Sequence, residues 1–151
     1  MPGGIVKKQM PVPSVEVFRV LHDYDRRLEW DTLLKKAYLT GDSSEACKGA
    51  TSCCIGKPFF GLIAMHTTYI AFDEPNMAAV LLHTKPLFFE SFGASIKHQD
   101  NDQGSMAEYT FHFRARPKWL RKFLEPIMLK ALQRETEARL DALARYLSQA
   151  A

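Results

Sequence analysis

The order of periodicities along the chain constrains its fold more than any other feature: a short strand pattern, a kinked helical stretch, six strand-like runs in succession, then one long helical segment. Six consecutive strands flanked by helices define an α+β layer arrangement, because a doubly wound parallel sheet needs strand and helix to alternate. At 151 residues the chain suits a single domain spanning 1–151.

The first strand reads from Ile5 to Val12, closed by Pro11 and Pro13, with Lys7 and Lys8 suited to a sheet edge. Ser14 is placed to cap a helix whose stripe is Val17, Phe18 and Leu21, and Tyr24 to Trp30 reads as a second helical turn. Strands follow at about 33–40, 50–56, 62–72, 77–84, 87–98 and 105–115, separated by turn signals such as Gly56-Lys57-Pro58, Glu74-Pro75-Asn76 and Lys85-Pro86. Such short connections make a meander of antiparallel neighbours. From Lys118 the spacing is helical again, and Pro126 predicts a short helix at 118–124, a break, and a long helix over 126–148. At ~1.5 Å per residue the long piece reaches roughly 34 Å, enough to cross a small sheet face.

Composition excludes several classes. With 46% apolar and 25% charged residues the chain is neither disordered nor coiled coil, and a net charge of +3 does not predict nucleic-acid binding. The longest apolar runs fall far short of the roughly 20 residues that cross a bilayer, so no stable membrane insertion is expected. Three cysteines, Cys47, Cys53 and Cys54, and a start without the charged and apolar regions of a signal peptide lead to a cytoplasmic expectation. Cys53 and Cys54 read as packing residues, and neither a phosphate-cradling glycine loop nor a Gly-x-Ser-x-Gly elbow occurs.

Which side chains face inward depends on register. A symmetric turn at Glu74-Pro75 sets His66 opposite His83, one at Lys85-Pro86 sets Leu81 opposite Glu90, and one at Asn101-Asp102 sets Phe92 opposite Phe111. The face assembled in this way carries His66, Thr68, Ile70, Leu81, His83, Phe88, Glu90, Phe92, Tyr109, Phe111 and Phe113, with Thr67 and Tyr69 on the opposite, solvated face. The inward aromatics are either ordinary core or, if the sheet curves, the lining of a cavity. Glu90 is the most diagnostic, since an unpaired carboxylate on an apolar face costs several kcal/mol. It meets His83, touches water in a cavity, or marks an error of register. His66, His83 and Glu90 are acceptable zinc ligand types, but their spacing matches no ligand motif, so no metal and no cofactor are expected. Arg114, Arg116, Lys118, Arg121 and Lys122 cluster around Trp119 and suit either a solvated turn or an anionic lipid or partner.

The element order, together with Pro13-Ser14-Val15-Glu16-Val17-Phe18 opening the first helix, Leu28-Glu29-Trp30-Asp31 before the second strand and a terminal helix ending Leu140 to Leu147, resembles the START-like (SRPBCC) superfamily. The nearest branch by this resemblance is the polyketide cyclase/dehydrase and lipid-transport group. The resemblance implies a helix-grip fold, in which a curved seven-stranded antiparallel sheet wraps the C-terminal helix around an apolar cavity. It also implies a small hydrophobic ligand, such as a lipid or polyketide. The expected grip adds Leu124, Ile127, Met128, Ala131 and Leu132 of the terminal helix to the inward sheet face, with His66, His83, Glu90 and Tyr109 orienting the guest. The alternative is a cyclase/dehydratase-type enzyme using those same His, Glu and Tyr side chains as acid and base.

Overall fold

The computed structural model describes residues 1–56, 64–86 and 88–150; the expected turn at Gly56-Lys57-Pro58 and the expected strand starts at 62 and 87 fall partly outside them. The elements run β1 (Gly3–Met10), α1 (Ser14–Leu21), a 3-10 turn (Tyr24–Arg26), α2 (Arg27–Trp30), β2 (Leu34–Thr40), β3 (Thr51–Gly56), β4 (Ala64–Asp73), β5 (Met77–Leu82), β6 (Phe89–Asn101), β7 (Gly104–Ala115), a second 3-10 turn (Lys118–Leu120) and α3 (Arg121–Ala150). The seven strands form one antiparallel sheet in the order β1-β7-β6-β5-β4-β3-β2, so the meander is complete and β1 lies at an edge beside β7.

Local chemistry differs from expectation at two helix starts. Ser14 does not cap α1 with its hydroxyl; Pro13 holds the cap position, and the Ser14 amide donates to Asp100 Oδ1 at 2.7 Å. A carboxylate from β6 therefore satisfies a free amide at the positive end of α1 and ties the helix to the sheet. The break expected at Pro126 is absent, and α3 runs uninterrupted for 30 residues. Pro126 is the sixth residue of that helix, so its missing N–H leaves only the Lys122 carbonyl without its partner, next to the helix end.

Register explains what the sheet presents to α3. Thr67 pairs with Leu82, and the His83 amide donates to the His66 carbonyl at 3.0 Å, as expected for the β4–β5 hairpin. Phe92 pairs with Phe113 instead of Phe111, a two-residue shift that keeps the β6 and β7 side chains beyond Ser91 on their expected faces. Leu81, however, pairs with Gly93 instead of Glu90. This three-residue shift is odd, so relative to β6 it turns β4 and β5 over. Its source is the connection after Leu82, where Phe88 takes a left-handed φ of 69° and β6 carries an irregularity between Phe89 and Ser91. A symmetric turn allows for neither device.

The apolar core has two parts. Leu140, Leu143 and Leu147 of α3 pack with Val6, Met10, Ala107, Val17, Phe18 and Trp30. Nearer the start of α3, Met128, Leu129 and Leu132 pack with Phe89, Ala94, Phe111 and Phe113.

Candidate functional site

Between the two packed regions the concave face carries small side chains, among them Ser52, Thr67, Ala78 and Ala94, with Ala131 opposite them on α3. Small residues facing one another across a curved sheet cannot fill the space, and a cavity of about 690 Å³ results. Its lining is graded along α3: Ile127, Met128, Ala131 and Leu132 come first, then Glu135, Thr136 and Arg139. From Ile127 to Arg139 this wall extends about 18 Å at ~1.5 Å per residue. Ile127 and Phe88, both exposed, stand on the rim of the apolar end.

The polar end is built around Asp31, whose side chain is 0% exposed. Arg27 Nε, one helical turn earlier, donates to Asp31 Oδ2 at 2.9 Å, and Arg139 Nε from α3 donates to the same oxygen at 3.0 Å. Trp30 lies beneath the Arg27 guanidinium, whose carbon is 5.0 Å from the ring centroid. Beside this group runs a hydrogen-bonded chain, with the Tyr24 hydroxyl 3.0 Å from that of Tyr69, which is 2.8 Å from His22 Nδ1. His22 Nε2 is buried without a hydrogen-bond partner among the described residues.

Burial tunes these groups. It pushes the Tyr69 and Tyr109 phenols and the Cys54 thiol upward, Arg27 and Arg139 working against it in the last case. It also raises the Glu135 carboxyl, opposed by Arg139. His22 is lowered to about 3 by desolvation and the adjacent Arg27, and His98 to about 4 by desolvation. Both imidazoles are thus neutral when folded, whereas an unfolded histidine takes up a proton near pH 6.5. Their contribution to stability is complete above that pH and is lost as pH falls towards the folded values. Between about pH 6 and pH 4 the unfolding free energy is expected to drop by about 1.4 kcal/mol per pH unit from His22, with a further loss from His98. Urea unfolding across that range measures the slope, and His22→Gln should reduce it; equal stability at both ends would contradict the assignment.

Of the site residues expected from sequence, Phe88, Phe92, Tyr109, Ile127, Met128, Ala131 and Leu132 line the cavity. Phe111 and Phe113 are fully buried in the packed region behind it, and Leu124 is half-buried outside the lining. Five expectations are corrected. His66, Thr68, Leu81 and His83 lie on the convex face, turned there by the odd register shift, while Met65, Thr67, Tyr69, Ala78 and Val80 take the cavity side. Thr68 Oγ1 is 2.9 Å from His83 Nδ1 on that outer face. Glu90 stands at the surface, where Lys85 Nζ donates to it at 2.9 Å and holds its carboxyl below the ordinary range. The Glu90–His83 contact therefore does not form, and the register was the error that Glu90 flagged. Among the described residues no three His, Cys, Asp or Glu side chains converge as metal ligands.

The polar residues that do meet, His22, Tyr24, Arg27, Asp31, Tyr69, Glu135 and Arg139, were missed as a group. One signal was present: Met128, Leu132, Glu135 and Arg139 recur at helical spacing, so a stripe that starts apolar ends in two charges.

A curved seven-stranded antiparallel sheet wrapped around a long C-terminal helix defines the helix-grip, START-like class. The chain belongs to the family described as polyketide cyclase / dehydrase and lipid transport, whose model matches residues 6–148. Among solved structures it is similar to a protein from Thermus thermophilus, at 12% identity over 99% of both chains with a TM-score of 0.84. It is also similar to a START superfamily protein from Mycobacterium smegmatis, at 10% identity over 99% of this chain and 98% of that one, TM-score 0.76. A third is the di-domain ARO/CYC BexL of the BE-7585A biosynthetic pathway, at 10% identity over 95% of this chain and 48% of the other, TM-score 0.77. At these identities the likeness is one of fold. No curated protein matches the chain.

Proposed function

We propose that the protein binds a small amphipathic molecule, its apolar body held between the sheet and α3 and an acidic or enolic oxygen directed at Arg27 and Arg139. The observation that carries this reading is the graded lining of the cavity, apolar at Phe88, Phe92 and Met128 and cationic at Arg27 and Arg139. The hollow of about 690 Å³ opens past Ile127 and Phe88, so solvent or a guest fills it, and an apolar guest gains roughly 25 cal/mol per Å² of its buried surface. At the other end Asp31 sits between both guanidiniums and accepts from each through a single oxygen, so their remaining N–H groups are the donors available to a ligand that brings its own negative oxygen.

The test compares a fatty acid with the fatty alcohol of equal chain length by calorimetric titration. The acid should bind roughly tenfold or more tightly, a hydrogen bond to a charged group contributing about 1.5–3 kcal/mol, and Arg139→Met should remove the difference. Equal affinities in the native protein would refute the acidic end of the reading.

The hydrogen-bonded chain from His22 through Tyr69 to Tyr24 supports a second reading, a cyclase/dehydratase-type enzyme in which a tyrosine hydroxyl serves a bound carbonyl as general acid. Tyr69→Phe separates the two. It should leave affinity nearly unchanged in a binding protein and lower turnover by about 10²-fold or more in an enzyme.

A further inference from the structure

The cavity opens beside a surface that its own lining does not explain. Trp119, Phe123 and Ile127 follow one another at four-residue spacing across the second 3-10 turn and the start of α3, and are 80%, 72% and 68% exposed. That spacing puts all three on one side of the helix, along about 12 Å of its length. Lys118, Lys122 and Lys130 are exposed around them, and none of the three forms an ion pair among the described residues. The nearby acids are engaged: Glu125 accepts from the Ala115 amide and faces Arg121, and Glu90 is held by Lys85. Ile127 belongs both to this stripe and to the cavity lining, so the apolar surface continues into the hollow.

We infer that the Trp119–Phe123–Ile127 face is a docking surface for an anionic phospholipid bilayer, on which the mouth of the cavity opens. An exposed indole beside unpaired lysines is the chemistry of the membrane–water interface, where aromatic rings settle at headgroup depth and ammonium groups meet lipid phosphate. A second copy of the chain suits it less well, because a two-fold pairing of this face would bring unpaired lysines against lysines. Docking is peripheral, since no helix among the described residues is long and apolar enough to cross a membrane. Loading of the cavity from the bilayer rests on the ligand reading above; docking itself does not.

The experiment is co-sedimentation of the full chain with phosphatidylcholine vesicles, with and without about 30 mol% phosphatidylserine, at low and high salt. Binding should require phosphatidylserine and weaken with salt, and Trp119 emission should shift to the blue while the buried Trp30 stays constant. The pairs Trp119→Ala with Phe123→Ala, and Lys118→Glu with Lys122→Glu, should each lower partitioning about tenfold or more. Circular dichroism and titration with soluble fatty acid should remain as in the native protein. No binding to anionic vesicles, binding that both pairs leave intact, or a dimer in light scattering that Trp119→Ala dissolves would each overturn the proposal. A protein that docks but takes up no soluble acid would instead count against the ligand reading alone.

Discussion

Replacing Asp31 by alanine is expected to destabilise the fold by about 3–5 kcal/mol, the loss seen when one partner of a buried ion pair is removed. Asp31 is fully buried and holds Arg27 and Arg139 through one oxygen, so its removal leaves two guanidiniums facing each other across the end of the cavity. The contact also joins the end of α2 to α3 through two residues 108 positions apart in sequence. Urea unfolding measures the loss. Adding Arg139→Met should recover part of it, since only one cation then remains, and a change below about 1 kcal/mol for Asp31→Ala would show that the network is not structural.

Filling the cavity should abolish binding while keeping the fold. Ala131 lies on the α3 wall between the apolar and polar ends, so Ala131→Trp puts an indole where the guest's body would lie. A well-packed core would resent that change by about 1–3 kcal/mol, whereas a hollow accommodates it at little cost. Affinity for the fatty acid is expected to fall about a hundredfold or more, with the thermal midpoint unchanged or raised. A fall in stability of several kcal/mol with affinity preserved would mean that Ala131 faces packed protein.

The layout was legible in the sequence because each level of the pattern agreed: turn residues between the strand-like runs, alternating strands and a terminal helical stripe all required the same meander and covering helix. The fate of Pro126 was not, because a proline in the second turn of a helix costs one backbone bond close to the helix end, and no local pattern tells whether the rest of a long helix carries that loss. The site was legible by halves. Phe92 and Tyr109 were found on the correct face because an even register error is silent, whereas His66, His83 and Glu90 were displaced by an odd one that arises at Phe88. The polar end was out of reach for another reason. His22, Arg27, Asp31, Tyr69 and Arg139 come from four separate elements, and no local pattern tells which helix meets which strand.

Native mass spectrometry of the gently purified protein, alongside Ala131→Trp, tests the central claim most directly. The native chain should carry a non-covalent adduct of one small molecule that dissociates on collisional activation and extracts into organic solvent as an acidic amphiphile, and the Trp variant should lack it. A native chain that stays at its bare mass, and remains so after incubation with excess fatty acid, would contradict the account.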